Sequence, residues 1–116
     1  PWSSVSGGVT NTRTFWADMV NAGVDLVLVA HFHHYERFAD LDANGQPATT
    51  GLRTREIIAG TGGDSEGKFP APIAGSEARI RAFGILAVTL DTSSYSWQFI
   101  PADPTAPTDS GSETCH

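Results

Sequence analysis

Val24-Asp25-Leu26-Val27-Leu28-Val29-Ala30 runs directly into His31-Phe32-His33. The first part is an almost continuous apolar run rich in β-branched side chains, which predicts a strand buried on both faces. Two imidazoles separated by one residue of extended chain project to the same side, about 7 Å apart. A strand end that opens into a loop is a common position for a metal or catalytic site. The pair therefore indicates either a metal site or two ordinary surface histidines.

The composition is that of one small globular domain. Of the 116 residues, 40% are hydrophobic and 17% are charged, which is enough to build a core. The formal net charge is −6, and the seven Lys and Arg residues are scattered. This charge disfavours nucleic acid and anionic membrane surfaces as partners. No apolar window approaches the roughly 18 residues of a membrane-spanning helix.

The segments around the apolar run predict one helix, a turn and a second strand. Residues 11–22 carry a helical apolar stripe typical of core packing, and Gly23 stands where a helix commonly ends. Asn44-Gly45 predicts a turn in the excursion that follows the histidines. Residues 53–59 predict a strand. The glycine-rich segment 60–64 lacks the Lys of a phosphate-binding P-loop, so it predicts a turn with positive φ or close backbone approach.

The second half of the chain predicts an antiparallel hairpin. Residues 82–90 are mostly apolar at both the even and the odd positions, which predicts a strand buried on both faces. Tyr95, Trp97 and Phe99 alternate with polar residues and predict a half-buried strand that pairs with it.

Two segments show no regular pattern. Residues 64–80 predict a polar surface loop, because Pro70 and Pro72 oppose a central strand. Residues 101–116 are rich in Pro, Ser and Thr and predict an extended or poorly ordered tail. The expected division of the chain is therefore a body at 1–100 and a tail at 101–116.

The ends of the chain bear on its cellular location. Cys115 is the single cysteine, so it predicts either a disulfide to a cysteine outside this sequence or a solvated thiol. Few Lys residues with abundant Ser, Thr, Gly and Pro favour a secreted protein, extracellular or periplasmic. Pro1-Trp2-Ser3-Ser4 is not a signal peptide and predicts a fragment or a processed product.

The run His31-Phe32-His33-His34-Tyr35-Glu36-Arg37, with the apolar strand before it, resembles the last metal-binding motif of the calcineurin-like metallophosphoesterases. In the purple acid phosphatase branch of that family the motif is a hydrophobic strand, Gly-His-x-His, one variable residue and Tyr-Glu-Arg. The resemblance covers nearly the whole chain. It extends to Pro1–Ser4, Gly60–Gly63, 83–90, 94–101, 108–112 and Cys115-His116.

The resemblance implies an α/β fold, the C-terminal half of an α/β/β/α sandwich with a mixed, mostly antiparallel sheet and one main helix. It also implies that His31 and His33 each bind one ion of a two-metal centre of Fe, Zn or Mn. Such a centre turns bound water into a nucleophile that attacks a phosphate ester. The expected activity of the complete protein is therefore that of an acid-phosphatase-like hydrolase acting on phosphate esters.

The residues after the metal-binding pair have expected supporting roles. Glu36 and Arg37 are expected to form a pair that is structural or supports the metal ligands, and Tyr35 is expected to be a packed aromatic. His34 occupies the variable position of the motif. It is expected either to support a metal ligand, to contact substrate, or to be a surface histidine.

The sequence departs from the family pattern in two ways. Ala30 stands in place of the glycine before the first histidine, and a methyl group is tolerated there only if φ stays negative. The family's other ligands, aspartates, an asparagine and further histidines, have no counterpart in these 116 residues. Two ligands bind metal weakly, so the chain is expected to be inactive alone and to need a missing N-terminal segment. The alternatives are a self-associating metal-binding module without catalysis and a β-rich structural fragment without a site.

Overall fold

The computed structural model describes residues 1–65, 68–69 and 71–116. In these residues the chain forms a short 3-10 turn, one α-helix and seven strands. Their bounds are Thr10–Thr12 for the turn, Arg13–Asn21 for α1, Leu26–Val29 for β1, Tyr35–Leu41 for β2, Thr54–Ala59 for β3, Ser76–Ile80 for β4, Gly84–Leu90 for β5, Ser94–Pro101 for β6 and Asp109–Thr114 for β7.

The strands form two sheets. The first has the order β1-β3-β2-β4 and the second the order β5-β6-β7. β1 runs parallel to β3, and the other pairings are antiparallel. The predicted α/β class, with mostly antiparallel strands and one main helix, is confirmed. No helix in the described part of the chain is long and apolar enough to cross a membrane.

The first sheet is the middle of three layers. Helix α1 packs against one of its faces. Side chains of successive strand residues point to opposite faces, so the same strands contribute to a core on each side of this sheet. The second sheet covers the other face. The core beneath α1 contains Trp16, Val20, Phe38, Leu41 and Ile58, and the core between the sheets contains Tyr35, Ile57, Ile80, Ala82, Tyr95, Trp97 and Phe99.

Helix α1 agrees with its predicted position. It begins two residues later than expected and ends one residue earlier, within the usual uncertainty of helix ends. Trp16 and Val20 are buried as predicted, whereas Phe15 is 65% exposed. Gly23 has φ +75°, the left-handed conformation that ends many helices.

The prediction that residues 24–30 form a strand buried on both faces is wrong about the burial. β1 is an edge strand that pairs with β3 alone among the described residues. Leu28 is consequently 51% exposed. The apolar run therefore predicts a strand at this position but not that the strand lies at the edge of the sheet.

The hairpin is confirmed, and its burial is corrected. β5 and β6 pair antiparallel, and the aromatic residues of β6 face the core as the alternation predicted. β5 is an edge strand with alternating exposure, so residues 82–90 are not buried on both faces. Ile85 and Leu90 are 64% and 74% exposed.

Strand β3 and the turn at Asn44-Gly45 are confirmed, and Gly45 has φ +75°. The surface loop predicted at 64–80 is wrong for Ser76–Ile80, which pairs with β2 as β4. Pro70, used in that prediction, lies outside the described residues. The tail after 101 is extended, but it is not poorly ordered at Asp109–Thr114, which pairs with β6 as β7.

Candidate functional site

Two loops meet at one edge of the first sheet. β1 and β3 are parallel, so the loops that follow them, 30–34 and 60–65, leave the sheet at the same end. In sheets with parallel strands, ligands commonly bind beyond the carboxyl ends of the strands. The backbone N–H of Gly60 donates to the carbonyl oxygen of His34 at 3.2 Å, which fastens the two loops together.

The loop that carries His31 and His33 has a constrained backbone. The N–H of His34 donates to the carbonyl oxygen of Phe32 at 2.9 Å, which closes a tight turn centred on His33. His31 has φ +78°, a left-handed conformation that is uncommon for residues other than glycine. Ala30 is not among the residues with positive φ, as its methyl group requires. The left-handed residue is therefore the first histidine and not Ala30.

Gly60 allows the two loops to approach closely. A Cβ at this position would overlap the carbonyl oxygen of Phe32, the residue between the two histidines. The sequence predicted either close backbone approach or positive φ in the segment 60–64, and both occur, because Gly63 has φ +128°. The glycine loop is thus part of the packing that shapes the histidine loop.

His33 has a hydrogen bond that determines which of its two ring nitrogens carries the proton. Its Nδ1 lies 3.0 Å from the carbonyl oxygen of Ser65, which can only accept, so Nδ1 carries the proton. The Nε2 of a neutral ring then presents its lone pair, as in histidines that bind metals. This Nε2 lies 3.7 Å from the carboxylate of Asp64. His33 is therefore oriented, and a carboxylate lies beside its Nε2.

His31 is exposed and lies beside the ring of Phe32, with the ring centroids 5.3 Å apart. It also lines one end of an apolar groove between α1 and β1. In the described ranges no group of three or more His, Cys, Asp or Glu side chains is arranged to hold a metal ion. Imidazole and carboxylate are ligand types that Fe, Zn and Mn accept, but two imidazoles and the Asp64 carboxylate are too few to complete a metal shell.

His34 is buried, so the expectation of a surface histidine is wrong. Its side chain is 1% exposed and lies between the rings of Phe32 and Phe69, with centroid distances of 6.0 and 4.6 Å. Its Nε2 lies 3.2 Å from Oε2 of Glu36. The histidine loop is therefore fixed to β2 through a buried imidazole and a buried carboxylate.

Glu36 is the centre of a buried hydrogen-bond network. The N–H of Ser4 donates to its Oε2 at 2.9 Å, and the hydroxyls of Ser3, Ser4 and Ser76 also donate to its carboxylate. Burial by itself raises the pKa of a carboxyl group, but hydrogen bonds from His34, Ser4 and Ser76 outweigh it and lower the pKa of Glu36 to about 2. Glu36 is therefore ionised at neutral pH and holds the Pro1–Ser4 turn against the sheet.

The prediction that Glu36 and Arg37 form a pair with each other is wrong. As neighbours in a strand they point to opposite faces of the sheet. Arg37 faces the second sheet, where its Nε donates to Asp109 at 2.8 Å and its Nη1 to Glu77. Tyr35 is a packed aromatic as predicted: it is fully buried, its ring centroid is 4.6 Å from that of Phe99, and its hydroxyl donates to Asp109 at 2.6 Å.

A second buried carboxylate, Glu56, was not expected from the sequence. It accepts the N–H of Trp2 at 3.1 Å. Burial raises the pKa of Glu56. Glu36 and Glu56 thus hold the two halves of the Pro1–Ser4 turn on the same face of the first sheet.

The sequence interpretation also missed Asp64 and Ser65 as neighbours of His33. A signal was available, because segment 60–64 follows a predicted strand and ends in a carboxylate. Parallel pairing of that strand with β1 brings the carboxylate to the histidines, and the pairing itself is not visible in the sequence. No pattern in the sequence marks Ser3, Ser4 and Ser76 as partners of Glu36.

Comparisons with models of protein families, with curated proteins and with solved structures each found no match.

Proposed function

We propose that this chain is the C-terminal part of a two-metal phosphoester hydrolase, the calcineurin-like metallophosphoesterase type that its histidine motif resembles. In this proposal the first sheet, α1 and the second sheet are half of an α/β/β/α sandwich. His31 and His33 bind one ion each. The ions, Fe, Zn or Mn, would supply the nucleophilic hydroxide and the positive charge that binds the phosphate ester.

The hydrogen bond from His33 Nδ1 to the Ser65 carbonyl is the observation that carries the proposal. Metal-binding histidines usually donate their second ring nitrogen to a backbone carbonyl or a carboxylate, which fixes the tautomer and orients the ring. The carboxylate of Asp64 at 3.7 Å would favour a cation near Nε2 and serves as a candidate oxygen donor.

The backbone of His31 adds independent support. A left-handed residue that is not glycine costs on the order of 1 kcal/mol and persists where the surroundings hold it in place. Such residues cluster at functional sites, where the orientation of one side chain matters more than the local strain. At this position the strain orients an imidazole at the carboxyl end of β1.

The buried network beneath the loop supports the same interpretation. His34 and Glu36 attach the histidine loop to β2, and the serines attached to Glu36 hold the Pro1–Ser4 turn nearby. A preorganised site requires ligands whose positions are fixed by a supporting layer of hydrogen bonds. The net charge of −6 is also consistent, because a negatively charged protein needs cations to bind a phosphate ester.

The ligands of the described residues are too few for two ions. The proposal therefore assigns the remaining carboxylate, amide and imidazole ligands to polypeptide outside these 116 residues. It also implies that the 116-residue chain alone does not hydrolyse phosphate esters. Secretion to an extracellular or periplasmic space is part of the proposal and rests on composition.

The test is hydrolysis of 4-nitrophenyl phosphate, with Fe, Zn or Mn added, by the longest natural polypeptide that carries this sequence. The expected result is metal-dependent activity that falls at least about 100-fold in His31→Ala and in His33→Ala, the loss typical of a removed catalytic group. His116→Ala is the matched control, because His116 binds Asp25 and Arg53 instead of the two loops. Absent activity, or activity that all three variants retain equally, would contradict the proposal.

A further inference from the structure

His116 joins the segment that follows β7 to the first sheet. β7 ends at Thr114, and the chain continues from there to the point where β1 and β3 begin. The backbone N–H of His116 donates to Oδ1 of Asp25, the residue before β1, at 2.9 Å. Nε2 of its ring lies 2.8 Å from the carbonyl oxygen of Arg53, the residue before β3. His116 therefore connects the second sheet to the starts of the two parallel strands of the first sheet.

Both ring nitrogens of His116 face oxygens that accept hydrogen bonds. Nδ1 lies 2.8 Å from Oδ1 of Asp25, and Nε2 faces the carbonyl oxygen of Arg53. An ionised carboxylate and a backbone carbonyl cannot donate, so each contact is favourable only if the ring nitrogen carries a proton. A neutral imidazole has one such proton, and the imidazolium ion has two. The geometry therefore fits the charged ring and fits neither neutral tautomer.

The charged side chains on the elements around this ring bind one another. The guanidinium of Arg53 turns to Asp40, to which its Nε donates at 3.0 Å. Glu113 on β7 accepts from Nε of Arg55 at 2.8 Å. Within the described part of the chain, Asp25 is thus the charged group that contacts the ring.

The thiol of Cys115, next to His116 in the chain, does not titrate over the same pH range. Desolvation and the neighbouring carboxylate of Asp25 raise the pKa of Cys115 above its ordinary value of 9.0. The thiol is therefore neutral between pH 5 and pH 8, the range in which a histidine ordinarily loses its proton. A change in this range comes from the imidazole and not from the thiol.

We propose that His116 is a pH-dependent clamp, whose charged ring fastens the segment after β7 to the starts of β1 and β3 in mildly acidic solution. Loss of one ring proton turns a nitrogen lone pair toward an acceptor oxygen, whichever tautomer forms. One of the two ring contacts is then replaced by repulsion. The attachment of the second sheet at this point therefore weakens as the pH rises.

The clamp is separate from the candidate metal site. It lies where β1 and β3 begin, whereas the loops 30–34 and 60–65 follow the ends of these strands. It also acts over a different pH range from Glu36, whose contribution is lost as the pH falls from about 4.5 to about 2. Both contributions are therefore present together in mildly acidic solution.

The test is urea unfolding of the chain with and without His116→Ala, at about pH 5.5 and about pH 8, on either side of the range in which histidine titrates. The side chains of His116 and Asp25 are 24% and 23% exposed, so the contact is partly screened by water. The substitution is expected to raise the unfolding constant about 3- to 10-fold at the lower pH and less than about 2-fold at the higher pH. The other titrating groups are common to both proteins, so the comparison isolates His116.

The matched control uses Asp25→Asn, which removes the charge and keeps an oxygen at the same position. The added amide N–H can donate to the unprotonated nitrogen of a neutral ring. In the Asp25→Asn background, His116→Ala is therefore expected to change the unfolding constant by the same factor at both pH values.

The ¹⁵N signals of the His116 ring give a readout that does not depend on the stability of any variant. In the wild type at about pH 5.5, both ring nitrogens are expected to carry protons. A ring with one unprotonated nitrogen at this pH would overturn the proposal. An effect of His116→Ala that is equal at the two pH values in the wild type, or that keeps its pH dependence in Asp25→Asn, would overturn it as well.

Discussion

The carbonyl oxygen of Phe32 fills the space that a Cβ on Gly60 would need. This contact joins the loop after β1 to the loop after β3. It also fixes the height of the residue between His31 and His33 relative to the sheet. The shape of the candidate site therefore depends on a glycine that lies outside the histidine motif.

Gly60→Ala is expected to displace the histidine loop, because the added methyl group meets backbone and not a flexible side chain. The expected loss of stability is about 1–3 kcal/mol, the usual cost of overpacking. Chemical denaturation measures it, and the imidazole NMR signals of His31 and His33 should shift. Gly62→Ala is the matched control, because a Cβ there meets nothing within 4 Å. Equal effects of the two substitutions would contradict this account of Gly60.

Glu36→Gln is expected to destabilise the fold at neutral pH by about 3 kcal/mol, because the folded state holds the pKa of Glu36 near 2, below its ordinary value of 4.5. A lowered carboxyl pKa stabilises the folded state above the ordinary pKa. This contribution is lost as the pH falls from about 4.5 to about 2. The unfolding free energy of the wild type should therefore fall over this range more steeply than that of the variant.

The control for Glu36 is Glu77→Gln. Glu77 is 45% exposed and binds Arg37 and Arg55 near the surface, where such a pair contributes at most about 1 kcal/mol. An equal loss in both variants at neutral pH, or parallel pH profiles for wild type and Glu36→Gln, would show that the buried carboxylate is not stabilised as described.

His31→Gly is expected to be more stable than His31→Ala by about 1 kcal/mol, because glycine adopts φ +78° without steric cost. At His33, which is not among the positive-φ residues, the order should be reversed. Thermal unfolding of the four variants tests both statements together. If alanine were the better residue at both positions, the left-handed backbone of His31 would be contradicted.

Asp109→Ala is expected to cost about 2 kcal/mol, because Asp109 accepts from Tyr35, Arg37 and Trp97 and so ties β7 to the first sheet and to β6. Urea denaturation measures the loss. Asp103→Ala, in the exposed turn before β7, should change stability little. A stable Asp109→Ala variant would indicate that β7 is held by its backbone pairing to β6 alone.

The sequence predicted those elements whose burial pattern is local. β6 alternates aromatic and polar residues, and α1 carries an apolar stripe that ends at Gly23, so both were placed correctly. β7 has the polar sequence Asp-Ser-Gly-Ser-Glu-Thr, which by itself does not indicate a strand. Only the residues that β7 contacts explain why this segment forms one. Its two carboxylates face Arg37 and Arg55 of the first sheet. Tertiary contacts of this kind override local strand preference.

The errors in burial have one physical cause. An apolar run reports that a strand is suited to the interior, but not whether a neighbour is present. β1 and β5 were both predicted to be buried on both faces and are both edge strands. The burial of His34 was missed for a similar reason, since Phe69, one of the rings that enclose it, is distant in sequence. That His31 and His33 bind metal was predicted from their local spacing and stays a prediction.

The most direct test of the central claim, that His31 and His33 are metal ligands, is a titration of the 116-residue chain with Zn²⁺ followed by the imidazole ¹⁵N signals. The account predicts that Nε2 of His33 and one ring nitrogen of His31 shift, while the signals of buried His34 and of His116 stay in place. Weak binding suffices, because two histidines do not complete a shell. A response confined to His116, or the same response in all four histidines, would contradict the claim.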